Sequence, residues 1–230
     1  MGKARTRCLA IVAALTHCAT ALAQVPPSPR DLSQYTGLMT AAARGNAAEI
    51  ASLAARGANL ESRDGHGRTP LHVAAFGSHL DAIRALVNAG ANPNALENDR
   101  YDIATIAAVA NDLPALKLAL ELGCRATNVT SRYDGTALIA AAHLGHHDVV
   151  RELIRAGAPL DHVNNLGWTA LMESIVLGDG GPRHVATLQA LVGAGANVNL
   201  PDRTGASPLA LARGRGYREM AAILERAGAK

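Results

Sequence analysis

The sequence predicts an all-α solenoid of about six helix–turn–helix units, and three observations lead to that fold class. The opening Thr136-Ala137-Leu138 recurs 33 residues later as Thr169-Ala170-Leu171, and a fixed period of this size is typical of stacked repeats. Between these openings, Val150, Leu153 and Ile154 have the spacing of one helical face. Hydrophobic residues form 49% of the chain but aromatic residues only 3%, which favours thin, closely packed helices.

Residues 1–23 have the pattern of a secretory signal peptide. They begin with three basic residues, continue through an apolar run from Leu9 to Leu15 and end at Ala21-Leu22-Ala23, so cleavage is expected before Gln24. An uncleaved membrane anchor is the alternative, although the apolar run is short for a span of about 20 residues. We expect a periplasmic or secreted protein with no membrane insertion after cleavage.

The charge balance argues against nucleic acid as a partner. Removing the three basic residues of the leader lowers the formal net charge from +3 to 0. Electrostatic attraction to nucleic acid or to an acidic membrane then has no basis. The mature chain also keeps a single cysteine, Cys124, which excludes an intramolecular disulfide. We expect Cys124 to be a small buried residue.

Residues 24–35 form a proline-rich linker and lead-in, and Val25 to Arg30 is expected to be extended because it holds three prolines. Six units follow, each opening with Thr or an equivalent that can cap a first helix. A glycine such as Gly157 stands where each second helix must end. The predicted units are 36–68, 69–101, 102–135, 136–168, 169–206 and 207–230.

A glycine-rich insertion, Gly178–His184, lengthens unit 5 from 33 to 38 residues. By register it lies between the two helices of that unit. A solvent loop is one interpretation, and a second contact with a partner is the other.

The unit openings carry a family resemblance. The stretch TPLHVAA from Thr69 to Ala75, and the Gly-Ala-x-x-Asn that follows downstream, closely resemble the ankyrin repeat. The resemblance covers residues 36–230, with local departures in unit 3, which lacks Thr-Pro-Leu-His, and at Ser174-Ile175, where Ala-Ala is usual. It implies an ankyrin repeat solenoid whose hairpin fingers and concave surface recognise other proteins.

A column of residues stands immediately before the unit openings and, by the resemblance, lies at the hairpin fingers. We call it the opening column, and its members are Tyr35, Arg68, Tyr101, Gly135, Trp168 and Ala206. Tyr133 lies two residues from the column, and Phe76 and His143 occupy positions that by the resemblance face the concave side. The candidate protein-binding residues are Tyr35, Arg68, Phe76, Tyr101, Tyr133, His143 and Trp168.

These residue types favour recognition because aromatic and arginine side chains dominate interface energies, often at about 2 kcal/mol or more each. The alternative is structural. A Tyr or Trp at a finger can instead pack on the next hairpin and stiffen the stack.

The sequence lacks His-Glu-x-x-His, Gly-x-Ser-x-Gly, Cys-x-x-Cys and phosphate-loop motifs. We therefore expect a non-enzymatic module of the cell envelope that binds a folded protein partner and needs no cofactor. One alternative, by analogy with exported bacterial ankyrin proteins, is a factor that supports an envelope enzyme, for example in oxidative-stress defence. A second is metal-dependent activity through His143 and His147, which would need further ligands. The partner's identity and the oligomeric state stay open.

Overall fold

The structure, a computed structural model, describes residues 24–230; the predicted signal peptide at residues 1–23 lies outside the described residues. The regular secondary structure of the described part is helical, and one isolated antiparallel bridge joins Thr130 to Gly135. The predicted all-α solenoid is confirmed. Within residues 24–230, no helix combines the length and the apolar character that crossing a membrane requires.

In residues 24–230, one short helix, α1, precedes six helix pairs, and each pair corresponds to one unit. We call the first helix of a pair the inner helix and the second the outer helix. The helices are α1 Pro29–Gln34, α2 Gly37–Ala43, α3 Ala47–Ala55, α4 Pro70–Phe76, α5 Leu80–Asn88, α6 Ile103–Val109, α7 Leu113–Glu121, α8 Ala137–His143, α9 His147–Arg155, α10 Ala170–Val176, α11 Pro182–Gly193, α12 Pro208–Gly214 and α13 Arg218–Arg226.

Each inner helix begins directly after one of the six predicted openings. The opening residue is the N-cap in all six units, and in four of them its side-chain oxygen accepts the backbone N–H three residues later, which satisfies one free donor of the helix. These four caps are Asp102, Thr136, Thr169 and Ser207.

In unit 2 a histidine completes the cap and ties the helix to the next hairpin. The Thr69 N–H donates to Nδ1 of the fully buried His72 over 3.1 Å. The opposite ring nitrogen, Nε2, therefore carries the proton and donates to the carbonyls of Ala95 and Tyr101, at 3.0 and 3.1 Å. Burial lowers the pKa of His72, so this neutral form is the stable one.

Small residues let the units approach closely. Each inner helix contacts its own outer helix and the inner helices of adjacent units. The alanines that mediate these contacts, such as Ala42, Ala74 and Ala142, are fully buried. On the outer helices, leucines such as Leu116 and Leu153 fill the space between units and are equally buried. No unit closes its own core, so stability depends on contacts between neighbours.

Three histidines link consecutive units in the same way. A ring N–H at the start of an outer helix donates to a carbonyl near the end of the preceding unit's inner helix. The pairs are His79 with Ala43 at 3.0 Å, His146 with Ala108 at 3.0 Å and His184 with His143 at 2.9 Å. Burial lowers the pKa of His146.

Moderate acid is expected to destabilise the stack through His72 and His146. In the folded chain, His72 and His146 have pKa values below the usual 6.5. Between pH 6.5 and those lower values, the unfolded chain binds more protons than the folded chain, so a falling pH favours unfolding. Their contribution is complete above about pH 6.5 and is lost as the pH falls through the folded pKa. We expect Tm to be at least about 3 °C lower at pH 5 than at pH 7.5 by calorimetry.

His146→Asn tests this assignment because the amide can still donate to Ala108 but does not titrate. This variant should show a weaker dependence of Tm on pH. His66→Asn, at an exposed position, should keep the parent's dependence. Equal Tm values at pH 5 and 7.5 for the parent chain would contradict the prediction.

The insertion of unit 5 is packed rather than free. Gly178 is buried, and its carbonyl accepts a hydrogen bond from the Tyr217 hydroxyl over 2.9 Å. His184 is also buried, and its Nδ1 lies 2.8 Å from an Asp179 carboxylate oxygen. The inserted residues also lengthen the outer helix α11 to 12 residues, against nine in the other units. The interpretation as a solvent loop is therefore wrong for the two ends, Gly178 and His184, whereas Asp179, Pro182 and Arg183 between them are exposed.

Two further expectations have clear outcomes. Cys124 is buried, as predicted, and its burial raises the pKa of the thiol well above the usual range. The expectation that Val25 to Arg30 is fully extended is wrong at its end. Helix α1 begins at Pro29, because Ser28 caps it through a capping box with Asp31.

Candidate functional site

The opening column closes the hairpins through its backbone. In each of the five hairpins, a column residue offers its carbonyl to the N–H of a residue four or five positions earlier. The acceptors are Arg68 (3.1 Å), Tyr101 (3.1 Å), Gly135 (2.8 Å), Trp168 (3.0 Å) and Ala206 (3.0 Å). The column therefore lies at the hairpins, as the resemblance implies.

A polar side chain on the other side of each turn holds the hairpin shape. Asp64, Asn164 and Asp202 each use one oxygen to accept two backbone N–H groups of their own hairpin. Ser131 fills the same role in the longer hairpin before unit 4. The position lies five residues before each opening, so the sequence contained this signal, although it was not used.

Arg68 is fully buried at the first hairpin, between two carboxylates. Its guanidinium donates to Asp64 over 2.7 Å and to Asp31 of α1 over 2.9 Å. The Tyr35 hydroxyl donates to the same Asp64 oxygen over 2.6 Å. Burial alone would raise the pKa of Asp64, but the hydrogen bonds from Tyr35 and Arg68 hold it below its usual value.

Tyr101 is also buried, with only 3% of its surface exposed. Burial raises its pKa to about 12, so the phenol stays protonated. Arg68 and Tyr101 were expected to be accessible anchors, and that placement is wrong for both. The N-terminal lead-in contacts Arg68, and Tyr101 belongs to the core of the array, so both side chains are covered, as in the structural alternative. Tyr35, which is half-buried, belongs to the same network as Arg68.

Phe76 ends the inner helix α4 and is half-buried. It lines a shallow cleft with Ala43 and Val73 of the inner helices and with Pro26 and Leu32 of the N-terminal lead-in. The lead-in therefore lies on the inner-helix side of the first units, next to one of the predicted binding residues.

His143 ends the inner helix α8 and meets a buried acid of the next unit. Its Nδ1 lies 3.2 Å from a carboxylate oxygen of Glu173, which is 2% exposed. The other oxygen of Glu173 accepts a hydrogen bond from the Asn164 side chain over 2.8 Å. Because Asn164 also shapes its hairpin, Glu173 connects that hairpin to two inner helices.

A cleft opens beside Glu173, and we call it the central cleft. It lies between the hairpins and the inner helices of units 3 to 5. Its lining residues are Thr105, Thr130, Ser131, Tyr133, Gly135, Thr136, Ile139, Ala140, Asn164, Leu166 and Glu173. Tyr133 is half-buried at this cleft. Trp168 is also half-buried, and its backbone N–H donates to the Asn164 side chain over 3.0 Å.

The structure thus divides the seven candidates into two groups. Tyr133 lines the central cleft, whereas His143 bonds to Glu173 beside it and Trp168 is joined to Asn164 through its backbone N–H. Tyr35, Arg68 and Phe76 lie at the other end, beside the N-terminal lead-in, and Tyr101 is buried between them. Whether any of these residues binds a partner stays a prediction.

Glu173 and Asn164 were missed by the sequence reasoning. A signal existed for Glu173, because units 2 to 4 have the apolar residues Val73, Ile106 and Ala140 at the corresponding position. A charged residue there needed buried partners, and His143 and Asn164 supply them.

The candidate metal ligands are used in other contacts. His143 binds Glu173 through Nδ1, and His147 lies 3.6 Å from Asp148. In residues 24–230, no group of three or more His, Cys, Asp or Glu side chains is arranged to hold a metal ion.

Comparison with known proteins supplies the family. The model of ankyrin repeats in three copies matches residues 8–97 and 104–202. The Escherichia coli K12 protein YahD, whose name assigns it ankyrin repeats, is 33% identical over 196 residues, which cover 83% of this chain and 95% of YahD. Human ankyrin repeat and SOCS box protein 16 is 31% identical, but the match spans only 44% of that longer protein.

Solved structures agree with the sequence comparison. An ankyrin repeat domain from Acinetobacter baumannii AYE matches with a TM-score of 0.79 and 42% identity, over 84% of this chain and 98% of that one. The ankyrin repeat domain of Bcl-3, a member of the IκB protein family, matches with a TM-score of 0.77 and 30% identity, over 86% and 88% of the two chains.

Proposed function

Because this chain belongs to the ankyrin repeat family, whose repeats are protein–protein interaction modules, we propose that it is a non-enzymatic binding module of the cell envelope. Its partner is a folded protein, which it binds with its inner-helix face and its hairpins. The envelope location rests on the signal-peptide pattern of residues 1–23, which the mature chain would lose before Gln24.

The observation that carries this proposal is the central cleft. Tyr133, Trp168 and His143 are all partly exposed and come from two hairpins and one inner helix. Glu173 and Asn164 hold the cleft in one shape through hydrogen bonds of 2.8 to 3.2 Å. A rigid surface that presents partly exposed aromatic side chains, Tyr133 in the cleft and Trp168 on the next hairpin, loses little conformational entropy on binding, which favours affinity.

We expect a partner captured from envelope extract to depend on this cleft. The reagent is the chain from Gln24, cross-linked to its partner and recovered, and the test variant is Tyr133→Ala with Trp168→Ala. Truncating two interface aromatics costs about 2 kcal/mol or more each, so capture should fall at least about tenfold. Circular dichroism must first show that the variant is folded.

The matched control is Arg151→Ala with Arg155→Ala, on the outer helix α9 of unit 4, the unit that also contains Trp168. Both side chains are exposed and pair only with neighbours one turn away. This control should capture the partner as the parent does. Equal capture by all three chains would overturn the central cleft as the binding site. An envelope enzyme as the captured protein would assign the module to the support of that enzyme.

A further inference from the structure

The N-terminal segment, Gln24–Gln34, lies across the inner-helix side of the first three units. At its start, the Gln24 amide donates to the Thr105 carbonyl of α6 over 3.1 Å. The Val25 carbonyl accepts from Arg68 over 3.0 Å. Eleven residues thus connect unit 1 to the inner helix of unit 3, over part of the inner-helix face through which we propose that this chain binds its partner.

The segment is held by charge and hydrogen bonds more than by apolar burial. None of the residues of α1 is buried, and Val25 and Leu32 are 48% and 45% exposed. Its strongest link joins Asp31 to Arg68, which is itself paired with Asp64 of the array. The Ser28 backbone and then the Arg68 guanidinium lower the pKa of Asp31 to about 2, so the carboxylate stays charged.

Arg68 is therefore a buried cation that the array satisfies only in part. Asp64 neutralises it from within the array, and the second carboxylate and the Val25 carbonyl both come from the N-terminal segment. Beside it, Pro26, Pro27 and Leu32 lie over Ala43 and Phe76. The face of units 1 to 3 thus presents one buried guanidinium and, next to it, a shallow apolar strip.

We propose that this face is a binding site for a proline-containing segment of a partner protein that is extended at its start, forms a helical turn at its end and carries an aspartate there at the position of Asp31. The N-terminal segment is the resident occupant, and a partner segment of the same chemistry displaces it. This inference rests on the proposed function, since it requires a protein partner, but it concerns a site separate from the central cleft. The tethered resident has an effective concentration of about millimolar order, so it weakens competing segments without blocking them.

The test uses the chain from Gln24 and its Asp31→Ala variant, which loses the link to Arg68 and the hydrogen bond from the Ser28 N–H to the Asp31 carboxylate but keeps Ser28 as the N-cap of α1. The probe is a fluorescent peptide of residues 24–34 with Asp31 intact, and binding is measured by anisotropy. We expect the peptide to bind the Asp31→Ala chain at least about tenfold more tightly than the parent. A control peptide carrying Asp31→Asn should bind neither chain.

A second measurement reports on the segment itself. Trypsin cuts after Arg30, which is exposed within α1, and the exposed Arg203 in the last hairpin provides a reference site in the same chain. Cleavage at Arg30 relative to Arg203, divided by the rate for a free peptide with the same residue at position 31, should accelerate at least about tenfold in the Asp31→Ala chain, because cleavage follows the population of the released segment.

Three results would overturn the proposal. The first is unchanged cleavage at Arg30, which would mean that Asp31 does not hold the segment. The second is accelerated cleavage without peptide binding at up to millimolar concentration, which would mean that the vacated face takes no such ligand. The third is a dimer of the parent chain in solution whose segments exchange between copies. Capture through the central cleft can survive all three results, so the two proposals fail separately.

Discussion

Replacing Arg68 by alanine is expected to lower the free energy of unfolding by about 3–5 kcal/mol. The guanidinium is fully buried and makes hydrogen bonds to Asp31, Asp64 and the Val25 carbonyl. Its removal leaves Asp64, whose side chain is 9% exposed, without its counter-charge. A buried carboxylate that loses its partner retains the full cost of desolvation. Urea unfolding followed by circular dichroism measures the difference.

Arg84→Ala is the matched control. Arg84 also pairs with an acid of the neighbouring unit, Glu121, over 3.0 Å, but the two side chains are 48% and 62% exposed. Water screens such a pair, so the loss should stay below about 1 kcal/mol. Similar effects for Arg68→Ala and Arg84→Ala would contradict the structural role assigned to Arg68.

Replacing Leu153 by alanine is expected to destabilise the chain by about 3–5 kcal/mol. Leu153 is fully buried on the outer helix α9, which packs between the outer helices of units 3 and 5. The truncation removes apolar contacts and leaves a cavity that two interfaces share. Urea unfolding should also become less cooperative, because a weakened central unit uncouples the two ends of a repeat array.

Leu80→Ala provides the comparison for this truncation. Leu80 also lies on an outer helix but is 37% exposed, so the same change should cost less than about 1 kcal/mol. A loss below 1 kcal/mol for Leu153→Ala would show that contacts around α9 relax to fill the cavity.

The repeat architecture could be predicted because each unit contains its own local sequence signals for a helix pair. Openings such as Thr136 and Thr169 are cap residues at a constant period, and the caps were found at these positions. The buried faces also followed from spacing, as at Val150 and Leu153. Local signals repeated six times leave little room for another fold.

Whether an individual side chain is buried or exposed could not be predicted in the same way. Arg68 and Tyr101 share a column with the half-buried Trp168, and the period places their backbones alike. Whether each side chain is covered depends on what lies next to it in another unit. For Arg68 the cover includes the N-terminal segment, whose position no repeat period encodes.

The hairpins also determine how readily this chain can diversify. A column residue closes its hairpin with a main-chain carbonyl, which every amino acid possesses, as Trp168 and Ala206 show. Random libraries at positions 168 and 206 would therefore sample new surface chemistry while retaining the bond that shapes the turn. Selection could therefore change the partner that such a protein binds by substitutions in one hairpin at a time, while the fold is retained.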